Sequence, residues 1–186
     1  MRIKTSREKR ILYIKTFVRW VLYYILILLG FCLMTAGSWL KPVVLVPIAL
    51  AIAAGNNIYG SVFTGAFCGL LIDVACGRLF GFNAVIMAVL CVICSLVYQL
   101  WLKNRFINYL WTTALFSYIQ CRLDYEFYYK IWRYADVENI FVHTTLRVWA
   151  YTVISAVFVW LLIKLIDRFF MPRNHIPLGE AIRAGA

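Results

Sequence analysis

The sequence predicts an all-α fold, a polytopic integral membrane helical bundle of about six transmembrane helices, and three observations carry that expectation. Hydrophobic residues make up 64% of the 186, and mean hydropathy is +0.81, too apolar for an ordinary soluble domain. Apolar runs of membrane length recur: residues 20–39 hold no charge and, as a helix, span about 30 Å, the thickness of the hydrocarbon core. The 19 Lys and Arg, set against 8 Asp and Glu, gather between such runs rather than along one polar face. A net charge of +11 alone would suit nucleic acid, but this distribution reads as membrane topology, with the lipid bilayer as the partner and no nucleic acid.

Taken in order, residues 1–19 carry Arg2, Lys4, Arg7, Lys9, Arg10, Lys15 and Arg19 against Glu8, a basic cytoplasmic juxtamembrane segment. It reads as a topology anchor or as a docking face for a cytoplasmic partner. The first apolar run is too long for a signal-peptide core and no small-residue cleavage motif follows it, so a first membrane helix is expected over 20–39. Lys41 and Pro42 stop that helix and open a second over 43–54, about 18 Å long and short for a crossing. Asn57 is placed to cap a third helix, 58–76, and Gly77 to end it in the left-handed conformation. Asn83 is then expected to cap a fourth, 84–102, with Lys103 and Arg105 in the turn beyond.

A fifth run, 106–121, contains Ser117 and Gln120, which suit either bonds across helices or local backbone bonds. Residues 122–143 mix aromatic and charged side chains, expected as an interfacial aromatic loop or short helix. A last helix from Thr144 or Thr145 to about Ile166 completes one transmembrane domain over 20–166, followed by a basic cytoplasmic tail, 167–186. Six crossings put both termini on one side. That side then holds the seven N-terminal cations, Lys103, Arg105, Lys164, Arg168, Arg173 and Arg183, thirteen in all, against six opposite. If the short second helix does not cross, the count becomes twelve against seven, still in favour of a cytoplasmic N-terminus.

The stretch GSVFTGAFCGLLIDVACGRLFGFN, residues 60–83, organises the rest. Ser61, Gly65, Gly69, Asp73, Gly77 and Gly81 recur every fourth residue, which leaves one flank of a helix nearly bare. Such a small-residue strip lets another helix approach closely in lipid, so Ser61, Gly65, Gly69 and Asp73 are the expected helix-packing or partner interface. Gly77, Arg78 and Gly81 belong to the turn that ends it. Each step of four residues advances about 40° around the helix, so the strip winds and favours an inclined crossing. Asp73 is the one acid inside a strongly apolar segment and requires a compensating group. It lies near the negative end of its own helix, and Arg78 is the near candidate for pairing; a bond to a neighbouring helix and an anchor for a membrane partner are the others.

Reaction chemistry is not expected. A carboxylate-dependent intramembrane enzyme needs a second acid, a metal set, or a nucleophile with its base, and His143 and His175 fall outside the apolar runs. Cys91 and Cys94 form one Cys-x-x-Cys pair without a second pair or a histidine, so no metal or cofactor is expected.

The segment GAFCGLLIDVACGRLFGFNAV, preceded by a short apolar helix with Pro42 near its start and followed by a basic turn after the next helix, resembles the MreD family of bacterial rod shape-determining membrane proteins. The match covers about residues 42–105; one departure is Val43 after Pro42, where members often have Asp or Asn. The resemblance implies a non-enzymatic membrane scaffold of the cell-wall elongation (rod) complex, in the bacterial inner membrane. It implies partners of three kinds: an MreC-like single-span protein, an MreB-like actin filament, and the RodA glycosyltransferase with its transpeptidase. The layout also resembles transporter substrate-binding subunits, and the alternative is such a subunit of an energy-coupling-factor vitamin transporter, with Ala49 and Ala53 as a docking pair. Against that alternative, a ligand pocket needs convergent polar groups, and only Asp73, Ser117 and Gln120 are candidates in the apolar spans.

Overall fold

Six α-helices account for most of the computed structural model, which describes residues 6–36, 42–102, 106–131 and 141–170. They are α1 (Ser6–Thr35), α2 (Leu45–Gly55), α3 (Ile58–Cys76), α4 (Phe82–Leu100), α5 (Phe106–Tyr125) and α6 (Leu146–Phe170). Short π-helical turns, Glu126–Lys130 and Phe141–Thr145, extend α5 and lead into α6. No strand occurs among the described residues. Four stretches are long and apolar enough to cross a membrane: Tyr13–Thr35, Ile58–Cys76, Phe82–Leu100 and Phe141–Phe169. The cations Lys41, Lys103 and Arg105, the middle of the aromatic segment and the tail with Arg173 and Arg183 lie outside the described residues.

Several boundaries differ from those the sequence suggests, each for a local reason. Helix α1 takes in most of the basic N-terminal stretch, because no Gly or Pro interrupts residues 6–29 and Ile14, Phe17 and Val18 continue the apolar pattern. Asn57 sits at the start of α3 in extended conformation, yet its side chain makes no cap bond. Helix α4 begins at Phe82, ahead of Asn83, which lies inside the first turn. The first part of the aromatic segment is helical: α5 runs on through Arg122, Asp124 and Tyr125 into the π-turn.

Helix α2, the shortest, is the hub. Its residues Leu45 to Ala53 are all buried, and it packs against each of the other five described helices. The sequence LVPIALAIAAG is apolar on every face, which suits a helix surrounded by protein rather than one with a lipid side. The close approach of α1 is made by a glycine: an added Cβ at Gly30 would lie 2.9 Å from Ile48 Cδ1 of α2. A buried helix must also satisfy the polar groups at its ends. Thr152 of α6 accepts from Val43 N at 3.0 Å on the entering strand of chain. At the exit, Asn56 O accepts from Ser95 Oγ (3.0 Å) and Gln99 Nε2 (3.3 Å) of α4.

Consecutive helices run antiparallel, as their side-chain contacts show: Gly65 meets Met87 and Cys91 while Gly69 meets Asn83 and Ala84, and Tyr98 late in α4 meets Thr112 early in α5. The outward faces are apolar, with Leu28, Leu29 and Leu33 of α1, Val85 and Val89 of α4, and Ile154, Phe158 and Leu161 of α6 exposed. So many large apolar side chains exposed along the helices exceed what a water-soluble monomer usually presents and suit lipid.

Candidate functional site

Two groups of polar side chains mark the ends of the bundle, while Thr113 and Ser117 are buried midway along α5. The first group is built on the end of α3. Gly77, at φ 60°, closes the helix: its N–H bonds to Val74 O (3.3 Å), and Arg78 N–H reaches back to Asp73 O (3.0 Å). This double bond pattern around a left-handed residue is the common glycine stop of helices. It turns the chain so tightly that Gly81, at φ 98°, opens α4 beside the α3 end.

Asp73 then faces the first turn of α4. Its Oδ2 accepts from Gly81 N (2.9 Å), and its Oδ1 accepts from Asn83 N (3.2 Å) and Asn83 Nδ2 (2.9 Å). The side chain is buried, 1% exposed. A carboxyl at the negative end of its own helix is poorly placed, but here the same group lies at the positive start of α4 and caps amides that would otherwise be unpaired. The compensation for Asp73 is therefore the α4 N-terminus, and not Arg78.

Arg78 pairs instead with Asp124 of α5. Its guanidinium also lies over the Tyr128 ring, 4.8 Å from the centroid, and the Tyr128 hydroxyl accepts from Leu79 N at 3.0 Å. Burial pulls the Arg78 guanidinium down, but Asp124, aided by Cys76 and Tyr129, outweighs it and holds the group above its usual range. Gln120 closes the circuit by donating to Asn83 Oδ1 (2.9 Å) and Asp124 Oδ2 (3.0 Å). One polar network thus ties the α3 end, the α3–α4 turn, the α4 start and the α5 end.

The small-residue strip leads into this network. An added Cβ at Gly65 would come within 2.7 Å of Met87 O, and one at Gly69 within 2.6 Å of Ala84 N and closer still to Asn83 O. Ser61 is buried, bonding to Asn57 O (3.0 Å) and Ala53 O (3.4 Å). The face formed by Ser61, Gly65, Gly69 and Asp73 is thus filled by α2 and α4 of the same chain. Ser117 bonds locally, to Thr113 O at 2.6 Å, while Gln120 bonds across helices.

The second group lies at the opposite end. Arg19 of α1, 3% exposed, donates from Nη2 to Asn56 Oδ1 at 2.7 Å, which places a cation at the negative end of α2. Tyr23, one turn on, donates its hydroxyl to Asp167 of α6.

Sequence reading misses Asp124, Asp167 and the burial of Arg19, because each lies where apolar runs give way to charge. The available signals are spacings: Gln120 with Asp124, and Arg19 with Tyr23, stand one helical turn apart, as a shared face requires. Asp73 remains the one acid inside a strongly apolar run, but it is not the one buried acid: Asp124, beyond the fifth run, is 8% exposed and joins the same network. Among the described residues, no three His, Cys, Asp or Glu side chains are grouped to hold a metal.

Fold and polar groups together define an all-helical chain with four helices of membrane-crossing length, tied at both ends by buried polar networks. No protein-family profile, curated protein or solved structure matches the chain.

Proposed function

We propose that the chain is a non-enzymatic membrane scaffold of the bacterial cell-wall elongation complex, maintaining rod shape by bridging other membrane and cytoskeletal components. The observation that carries this reading is the use made of Gly65, Gly69, Asp73, Gly77 and Gly81. These residues carry the resemblance to the MreD family, and all five build the close contact and tight turn between α3 and α4. A scaffold requires such a rigid internal core with apolar outer faces left for lipid and partner helices.

In this reading the chain crosses the inner membrane six times, α2 and α5 included, with both termini cytoplasmic. The antiparallel succession of helices supports six crossings, and the charge count supports the orientation, with Arg10 and Lys15 on the cytoplasmic side and Arg78 and Arg122 opposite. Its partners are the MreC-like, MreB-like and RodA-type components. Depletion in the host tests it: cells are expected to lose rod shape and round up. Cells that stay rod-shaped while vitamin uptake fails would overturn the scaffold reading in favour of a transporter subunit.

A further inference from the structure

Beside the Arg19 end of the bundle, a cavity of about 460 Å³ opens sideways between α5 and α6 and reaches α2. That volume falls in the range of about 300–1,000 Å³ typical of small-molecule sites. Its inner wall is apolar, with Ala51 and Tyr109 buried at the floor. Its outer edge is formed by Leu161 and Leu165, which are 55% and 54% exposed on the outer face of α6.

The rim carries charge at one end only. Lys164 and Arg168 stand one turn apart on α6, and both border the cavity. Lys164 Nζ is held 4.1 Å from the Trp160 ring centroid, and among the described residues neither cation is in a salt bridge. The one acid on the wall, Asp167, is already engaged by the Tyr23 hydroxyl. Depth matters as well. Phe169 ends the membrane-length stretch of α6, so Arg168 and Lys164 lie within about 8 Å of that end by helix rise, at headgroup level.

We propose that this cleft binds an acidic phospholipid, with an acyl chain against Ala51, Leu161 and Leu165 and the phosphate between Lys164 and Arg168. A lipid is the occupant that matches both halves: the mouth faces outward on an apolar helix of membrane length, and the paired cations complement a phosphodiester. The inference needs the chain to lie in a membrane, and is independent of the rod-complex reading.

Native mass spectrometry of the full-length chain in detergent tests it, with phosphatidylglycerol and phosphatidylcholine as competing probes. Phosphatidylglycerol is expected to be retained in preference. Exchanging both cations, Lys164→Gln with Arg168→Gln, is expected to weaken that retention roughly thirtyfold, from the loss of two near-surface cation contacts. Both side chains are exposed, so the variant is expected to fold, and the charge-preserving pair Lys164→Arg with Arg168→Lys is expected to keep the preference. Equal retention of the two lipids, or an unchanged preference in the Gln variant, overturns the proposal. So does displacement of phosphatidylglycerol by millimolar inorganic phosphate, which marks a free-anion site, or by an oligoglutamate peptide, which marks a protein-docking site.

Discussion

Asp73 shows how a position that looks unfavourable in one dimension becomes favourable in three. Its oxygens meet Gly81 N, Asn83 N and Asn83 Nδ2, so removing it leaves buried donors without partners. Asp73→Leu is expected to destabilise the purified protein by about 3 kcal/mol or more, from three donors stranded at about 1–3 kcal/mol each. Asp73→Asn keeps one acceptor oxygen and is expected to cost about half as much. Thermal unfolding in detergent ranks the two, and equal losses would argue that the carboxylate charge outweighs its hydrogen bonds. A second residue-scale prediction concerns Arg78 and Asp124. Arg78→Gln strands a buried carboxyl and is expected to cost about 2–3 kcal/mol, whereas Arg78→Gln with Asp124→Asn is expected to cost less than the sum of the single changes. Additive losses in the cycle would show that the ion pair is not coupled. The acid in the apolar run and the glycine stop are legible in the sequence. The true partner of Arg78 is not, because Asp124 lies 46 positions away at the end of another helix.

At the scale of elements, the winding strip on α3 and the buried helix α2 rely on the same device. The strip gains its close approach by omitting side chains along one flank, and α2 meets α1 closely where Gly30 omits one. Gly69→Ala drives a Cβ into the Asn83 and Ala84 backbone, which has no free rotamer to move. We expect a loss of about 2–3 kcal/mol from this overpacking, larger than the helix-propensity gain of about 1 kcal/mol. Gly60→Ala is the control: its Cβ would lie 3.0 Å from the Trp20 ring, a side chain able to shift, and near-neutral stability is expected. Equal losses at the two sites would show that backbone contact is not what limits α3–α4 packing. The bounds of α3 follow from sequence, because Asn57 and Gly77 punctuate it. The central place of α2 does not, since eleven apolar residues read as a short crossing until the surrounding five helices are known.

For the whole molecule, the outcome to measure is the side of the membrane that each end occupies. With six crossings, a reporter active only outside the cytoplasm is expected to work when fused after Phe80 and to be silent when fused after Leu102. The reverse pattern would mean that α2 does not cross or that the N-terminus lies outside, and activity at both sites would remove α4 as a crossing. Membrane-length apolar helices and the all-α class follow from sequence alone, because hydropathy over some twenty residues is a local property that no later contact alters. What the tertiary structure alone decided is which polar groups meet: Asp73 with the start of α4, Arg78 with Asp124, Arg19 with the end of α2, and Tyr23 with Asp167. The physical reason is that a buried polar group is satisfied by whatever lies within about 3 Å of it, and segments from 8 to 144 residues apart in the chain supply those atoms only after they pack.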